Sequence, residues 1–256
     1  MTIALYDSGV GGLSVLREVR ALLPHHDLLY LADAAYCPYG GRPEEAVRAR
    51  ALACGQWLAQ QGARLLVVAC NTATAVAIEA LRTTLAIPVV GMEPGIKPAI
   101  AATRNGVIGV LATGGTLASA RFSALVQRFA HGVEVRTIPC PGLVECVEAG
   151  DVAGPRPRAL LQRYMDSLHN ADTLVLGCTH YPFLKAPIAE LVGPTVRLID
   201  TGPAVARQVA MLARTTPALL QTGALRCVTT GDAGAFAATR RALCPELEAV
   251  PKHVII

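Results

Sequence analysis

The sequence predicts an α/β protein of two similar halves, each a mostly parallel sheet flanked by helices, with a site in the cleft between them. Three observations carry this. Short apolar runs bounded by turn residues alternate with amphipathic segments of helical period, the signature of βα units and a parallel sheet. Nine such units exceed one comfortable sheet. Two sequence patterns also recur at nearly the same offset: Val-Val-Ala-Cys-Asn-Thr and Val-Leu-Gly-Cys-Thr-His place cysteines at 70 and 178, 108 residues apart. Ile-Ala-Leu-Tyr-Asp-Ser-Gly from Ile3 and Ile-Gly-Val-Leu-Ala-Thr-Gly from Ile108 match at an offset of 105.

Strands are expected over residues 3–6, 28–32, 65–69, 89–91, 107–112, 133–138, 174–176, 196–199 and 226–229, each a short apolar run. Helices are expected over 13–23, 44–60, 74–85, 94–103, 117–129, 156–168, 182–191, 203–212 and 233–243, where the apolar residues follow a helical period. The chain is expected to enter its second half near Glu93 and return near Pro203. The first domain then comprises residues 1–93 with 203–256, and the second 94–202.

Composition narrows the function. A chain of 256 residues with 52% hydrophobic content can bury a full core. The net charge of +4 is scattered, with only a loose Arg-Pro-Arg at Arg156–Arg158, too little for a nucleic-acid footprint. No apolar stretch approaches the ~20 residues that span a bilayer, and the start lacks a charged segment and cleavage site. A soluble cytoplasmic protein is expected, with its eight cysteines reduced, since no pair has CxxC spacing.

Ligands in open α/β sheets bind at the carboxyl ends of strands, where the polar motifs of this chain fall. The loop Asp7-Ser8-Gly9-Val10-Gly11-Gly12 follows the first strand. Its glycines would permit positive φ and close backbone approach, letting amides hold an anion; a plain βα turn with Ser8 or Asp7 as a local cap is the alternative. It matches neither a dinucleotide nor a triphosphate loop. Asp33, followed by Pro38-Tyr39-Gly40, ends the second strand with a carboxylate and a turn. Cys70-Asn71-Thr72 and Cys178-Thr179-His180 carry more. A thiol at a helix start gains thiolate character from the dipole and amides. A single such cysteine reads as an inert buried thiol; two in equivalent positions, each followed by hydrogen-bonding side chains, do not.

Disulfide exchange favours CxxC proximity and zinc favours further ligands at defined spacing, and neither is present. Thiol acyl transfer by Cys178 with His180 leaves Cys70 unexplained. Stereochemical inversion needs a base on one face of a carbon and an acid on the other, which two matched thiols supply in both directions. A single-cysteine hydrolase and a non-catalytic binding module remain open on the residues alone.

These motifs, with Glu93-Pro94-Gly95, Ala112-Thr113, Gly115-Thr116 and Gly177-Cys178-Thr179-His180-Tyr181-Pro182, resemble the cofactor-independent aspartate/glutamate racemase family, in its order, from residue 3 to about 200. The resemblance, closest to members acting on glutamate, implies interconversion of L- and D-glutamate for peptidoglycan, with aspartate as the rival substrate. It implies Cys70 and Cys178 as paired catalytic acid/bases, with Asp7 beside Cys70, and His180 with Glu148 beside Cys178. It further implies Ser8, Asp33, Tyr39, Gly40, Asn71, Thr72, Thr113, Thr116 and Thr179 around the substrate. No cofactor and no metal are implied, and no nucleic-acid or membrane partner; the assembly is left open, a homodimer among the possibilities. Cys37 stands where the family has an apolar residue, Ala34 where Ser or Thr is common, and Glu145-Cys146 where a proline and an aliphatic residue precede Glu148. The few lysines, Lys97, Lys185 and Lys252, offer little to anchor pyridoxal phosphate, although Lys97 and Lys185 both follow predicted strand exits.

Overall fold

The computed structural model describes residues 2–215 and 222–256. Among them two wholly parallel sheets form, one of six strands and one of four. The first has order β10-β9-β2-β1-β3-β4, from β1 (Thr2–Asp7), β2 (Asp27–Ala32), β3 (Ala63–Val68), β4 (Val89–Gly91), β9 (Leu225–Thr229) and β10 (Lys252–His253). The second has order β6-β5-β7-β8, from β5 (Val107–Ala112), β6 (Glu134–Pro139), β7 (Thr173–Leu176) and β8 (Arg197–Ile199). The expected strands are all present within a residue or two at their ends; β10 adds one with no apolar run to announce it.

Central strands buried on both faces are near-continuously apolar, and alternate residues serve different cores. In β1, Ile3 and Leu5 pack with α1 (Leu13–Leu22) and α10 (Gly202–Thr215) in a cluster that reaches across to Leu174 and Leu176 of β7. Ala4 and Tyr6 face the opposite side, with α2 (Glu44–Gln60) and α3 (Asn71–Thr84). The outer face of the second sheet packs Ile108 and Val110 on α4 (Ile96–Ala102) and on Phe122 of α6 (Ala120–Phe129). The remaining helices are α5 (Gly114–Ala118), α7 (Leu143–Glu148), α8 (Pro155–Met165), α9 (Lys185–Val192) and α11 (Ala233–Leu243).

One expected helix is divided in the structure, and one helix is present that was not expected. The segment 117–129 is split, because Ser119 is extended (φ −70°, ψ 144°) and its hydroxyl caps the Phe122 amide at 3.2 Å. Helix α7 is six residues long and starts after Gly142 at φ 89°, too short to show a period. No helix among the described residues is long and apolar enough to cross a membrane.

Candidate active site

The site starts where β1 ends. Asp7 is fully buried, and its carboxylate accepts the Ser8 amide (2.7 Å), the Gly12 amide and the Thr179 hydroxyl (3.3 Å). The Val10 amide goes to Glu148 Oε1 at 2.8 Å. These loop amides therefore serve the protein's own carboxylates and not an external anion, so the local-cap reading describes Asp7 better. Nor do the glycines take positive φ. They are needed for close approach: a Cβ on Gly9 would fall on the Glu148 carboxylate, and one on Gly11 on the His180 ring. Burial raises the Asp7 carboxyl to about 6, although the nearby His180 pulls it down.

Cys70 follows β3 and is the N-cap of α3, its sulfur accepting the Ala73 amide at 3.5 Å. The sequence expectation of a lowered thiol pKa does not hold in this state. Burial pushes the thiol well above its ordinary value, the Asp7 charge adds to that, and the single amide does not offset them.

Cys178 follows β7, but no α-helix begins beside it; a 3₁₀ turn (Tyr181–Leu184) precedes α9. Its partner is His180, with Nδ1 3.6 Å from the sulfur. The ring's Nε2 meets Glu148 Oε1 at 2.6 Å. Burial disfavours the imidazolium, but the neighbouring Cys178, Cys37 and Glu148 outweigh it and raise the ring's pKa well above its ordinary value. Glu148 answers in the opposite sense: burial raises its carboxyl, and His180 brings it net below the ordinary carboxylate value.

Between the cysteines lies a polar wall. The hydroxyls of Thr72, Thr113 and Thr116 form a triangle with sides of 2.9, 3.3 and 2.9 Å. The Asn71 amide is 4% exposed, and neither its nitrogen nor its oxygen has a partner among the described residues. A buried primary amide left unpaired costs about 1–3 kcal/mol, which a ligand bound there would recover. Cys70, Cys178, Ser8, Tyr39, Gly40, Asn71, Thr72, Thr113, Thr179 and His180 all line one cavity, together with Pro38 and Val144. Its volume, about 10 Å³, is room for little more than one water.

Asp33 does not line that cavity. It is fully buried, and Arg50 grips both its oxygens (2.6 and 3.0 Å), Tyr39 donates at 2.5 Å and Thr230 at 2.8 Å. Its carboxylate fixes the Tyr39 loop. Gly40 lets that loop touch the second half, since a Cβ there would stand 2.7 Å from the Thr113 Cβ. Glu148 and Thr116 lie behind the lining, holding His180 and the hydroxyl triangle. Lys97, Lys185 and Lys252 are all exposed and line no part of the cavity, so none is placed to form an imine there.

Sequence reasoning missed three residues. Cys37 sits beside both His180 and Glu148, its sulfur within 4.8 Å of a ligating atom of each; its departure from the family pattern was the available signal. Arg50 sits in the middle of α2 and nothing local marks it as the partner of Asp33. The Ser14 hydroxyl lies between the carbonyls of Gly11 (2.8 Å) and Thr179 (2.9 Å), joining the halves beneath the site.

A family model described as Asp/Glu/Hydantoin racemase matches residues 13–209. The glutamate racemase of Pseudomonas aeruginosa PAO1 is 58% identical over 210 residues, covering 81% of this chain and 79% of that protein. The glutamate racemase of Herpetosiphon aurantiacus is 49% identical over 251 residues, covering 96% and 98%. Among solved structures, Escherichia coli glutamate racemase in complex with L-glutamate and the activator UDP-MurNAc-Ala superposes with a TM-score of 0.89 at 33% identity, covering 100% of this chain and 98% of that one. With its family model spanning most of the chain and relatives this similar along nearly its whole length, the chain belongs to the Asp/Glu/Hydantoin racemase family.

Proposed function

We propose that this chain is a glutamate racemase that inverts glutamate with two thiols and supplies D-glutamate for peptidoglycan. The observation that carries the reading is the pair of cysteines, each at the carboxyl end of a strand in a different sheet, lining one cavity. The relatives named above act on glutamate, and their coverage of the chain supports the same substrate here.

In the proposed mechanism one thiolate removes the α-proton and the other thiol delivers its proton to the opposite face. Asp7 accepts and returns the Cys70 proton; His180, held by Glu148, does the same for Cys178. A Cα–H beside a carboxylate is a very weak acid, so the charge that develops must be met by donors already in place. Asn71 and the hydroxyls of Thr72, Thr113 and Thr116 supply them, and Ser8 and Thr179 complete the surround. Exclusion of water by the near-shut cavity strengthens each of these contacts. The two domains meeting at this site are residues 1–93 with 203–256, and 94–202.

The test follows ellipticity of L-glutamate with purified protein and no added cofactor, alongside L-aspartate. Glutamate should lose its signal to a racemic end point and aspartate should not. Cys70→Ala and Cys178→Ala should each lower the rate by on the order of 10²–10⁴-fold or more. Normal turnover by Cys70→Ala would instead support a one-thiol enzyme.

A further inference from the structure

Cys37, on the loop between two 3₁₀ turns, Glu148 at the end of α7 and His180 after β7 each place a ligating atom within 4.8 Å of the others. No sequence spacing hints at this, because the residues come from three separate segments. From this juxtaposition we propose that Cys37, Glu148 and His180 form a binding site for Zn²⁺, and that its occupation shuts down inversion.

One thiolate, one imidazole and one carboxylate make a donor set that suits Zn²⁺; the hard cations Mg²⁺ and Ca²⁺ take oxygen ligands. Zinc bonds of ~2.0–2.3 Å at tetrahedral angles put ligand atoms roughly 3.3–3.8 Å apart. The three ligating atoms lie within 4.8 Å of one another, and side-chain rotation, which also parts His180 Nε2 from Glu148 Oε1 (2.6 Å), brings them to those separations. On binding, the Cys37 thiol and the ligating ring nitrogen of His180 each give a proton to solvent, and the sulfur and that nitrogen bond the metal. Three protein ligands leave the fourth position to water. The surroundings orient the donors, since the Val10 amide fixes Glu148 Oε1 at 2.8 Å. His180 is also the partner of Cys178, 3.6 Å away. A metal on the ring fixes it and its proton, and Cys178 loses the group that exchanges protons with it. This inhibitory consequence rests on the role proposed above for His180; the binding does not.

The two parts are read separately. Chelator-stripped protein is titrated with Zn²⁺ alone in competition with a chromophoric chelator. The wild type should take one equivalent, and Cys37→Ala should weaken that binding by at least about tenfold, since even the groups that orient a ligand are worth 10–100-fold. Cys37→Ser serves if the alanine variant folds poorly. Co²⁺ should give a thiolate charge-transfer band in the wild type that Cys37→Ser lacks. Zn²⁺ should slow glutamate inversion reversibly, with the inhibitory concentration raised at least about tenfold in Cys37→Ala, each variant being compared with its own zinc-free rate. Unchanged binding in Cys37→Ala, or binding lost with Cys70→Ala in its place, would overturn the site. Zinc held through Cys37 without slowing inversion would overturn the inhibitory role, and the part given to His180, while leaving the site standing.

Discussion

Asp7 shows how much of this site is decided by single residues. Its carboxyl is raised to about 6, from 3.8, chiefly by burial. The unfolded chain then loses this proton at lower pH than the folded one. Stability from this group is complete below about pH 3.8 and declines as pH rises to about 6, by about 3 kcal/mol. Chemical denaturation across that range should show the slope in the wild type and a flatter one in Asp7→Asn. The same ionisation should make kcat/KM fall as pH drops through about 6, because protonated Asp7 cannot accept from Cys70. The neighbouring glycines give a steric prediction. Gly11→Ala drives a methyl into the His180 ring, so it should cost about 1–3 kcal/mol in stability and lower kcat with it, read by melting and kinetics on one preparation. The placement of Cys70 and Cys178 at strand exits was legible in the sequence, whereas the place of Asp7 beside Cys70 was reached only through resemblance to the family. That the loop amides point inward was not, because Glu148 reaches them from a residue 138 positions away from Val10.

At the scale of elements, strands were the easiest to read, since a parallel strand covered on both faces must be an apolar run. Helix interruptions were harder. Ser119 ends α5 and caps α6 with the same hydroxyl, donating to the Thr116 carbonyl at 2.7 Å and accepting the Phe122 amide. Its meaning depends on a backbone turn that the apolar period does not reveal. Ser119→Ala should cost about 1 kcal/mol, measured by denaturant midpoint, with little change in KM because the residue lies outside the cavity lining. Helix α7 escaped notice although it delivers Glu148, since six residues carry less than two helical turns of pattern. Glu148 itself was reached only through resemblance to the family.

For the whole molecule, the two sheets present their carboxyl ends to one another, and the recurrence of Cys70 at Cys178 foreshadowed that arrangement. The halves are joined at the cavity by the Thr72–Thr113 hydroxyl contact at 2.9 Å, and away from its lining by Arg121, which pairs with Glu79 and Glu93. A cavity with room for little more than one water does not admit glutamate. Binding therefore requires the halves to part and close again. Amide exchange around Thr72 and Thr113 should slow when D- or L-glutamate saturates the protein, and unchanged exchange would contradict the opening. The central claim, two thiols on opposite faces, is tested most directly by running the early reaction in heavy water and resolving isotope by enantiomer. The two-thiol account predicts that product carries deuterium at Cα from the first turnovers while remaining substrate keeps its hydrogen, from either starting enantiomer. Product that retains the substrate's own hydrogen would show one base serving both faces and would contradict it.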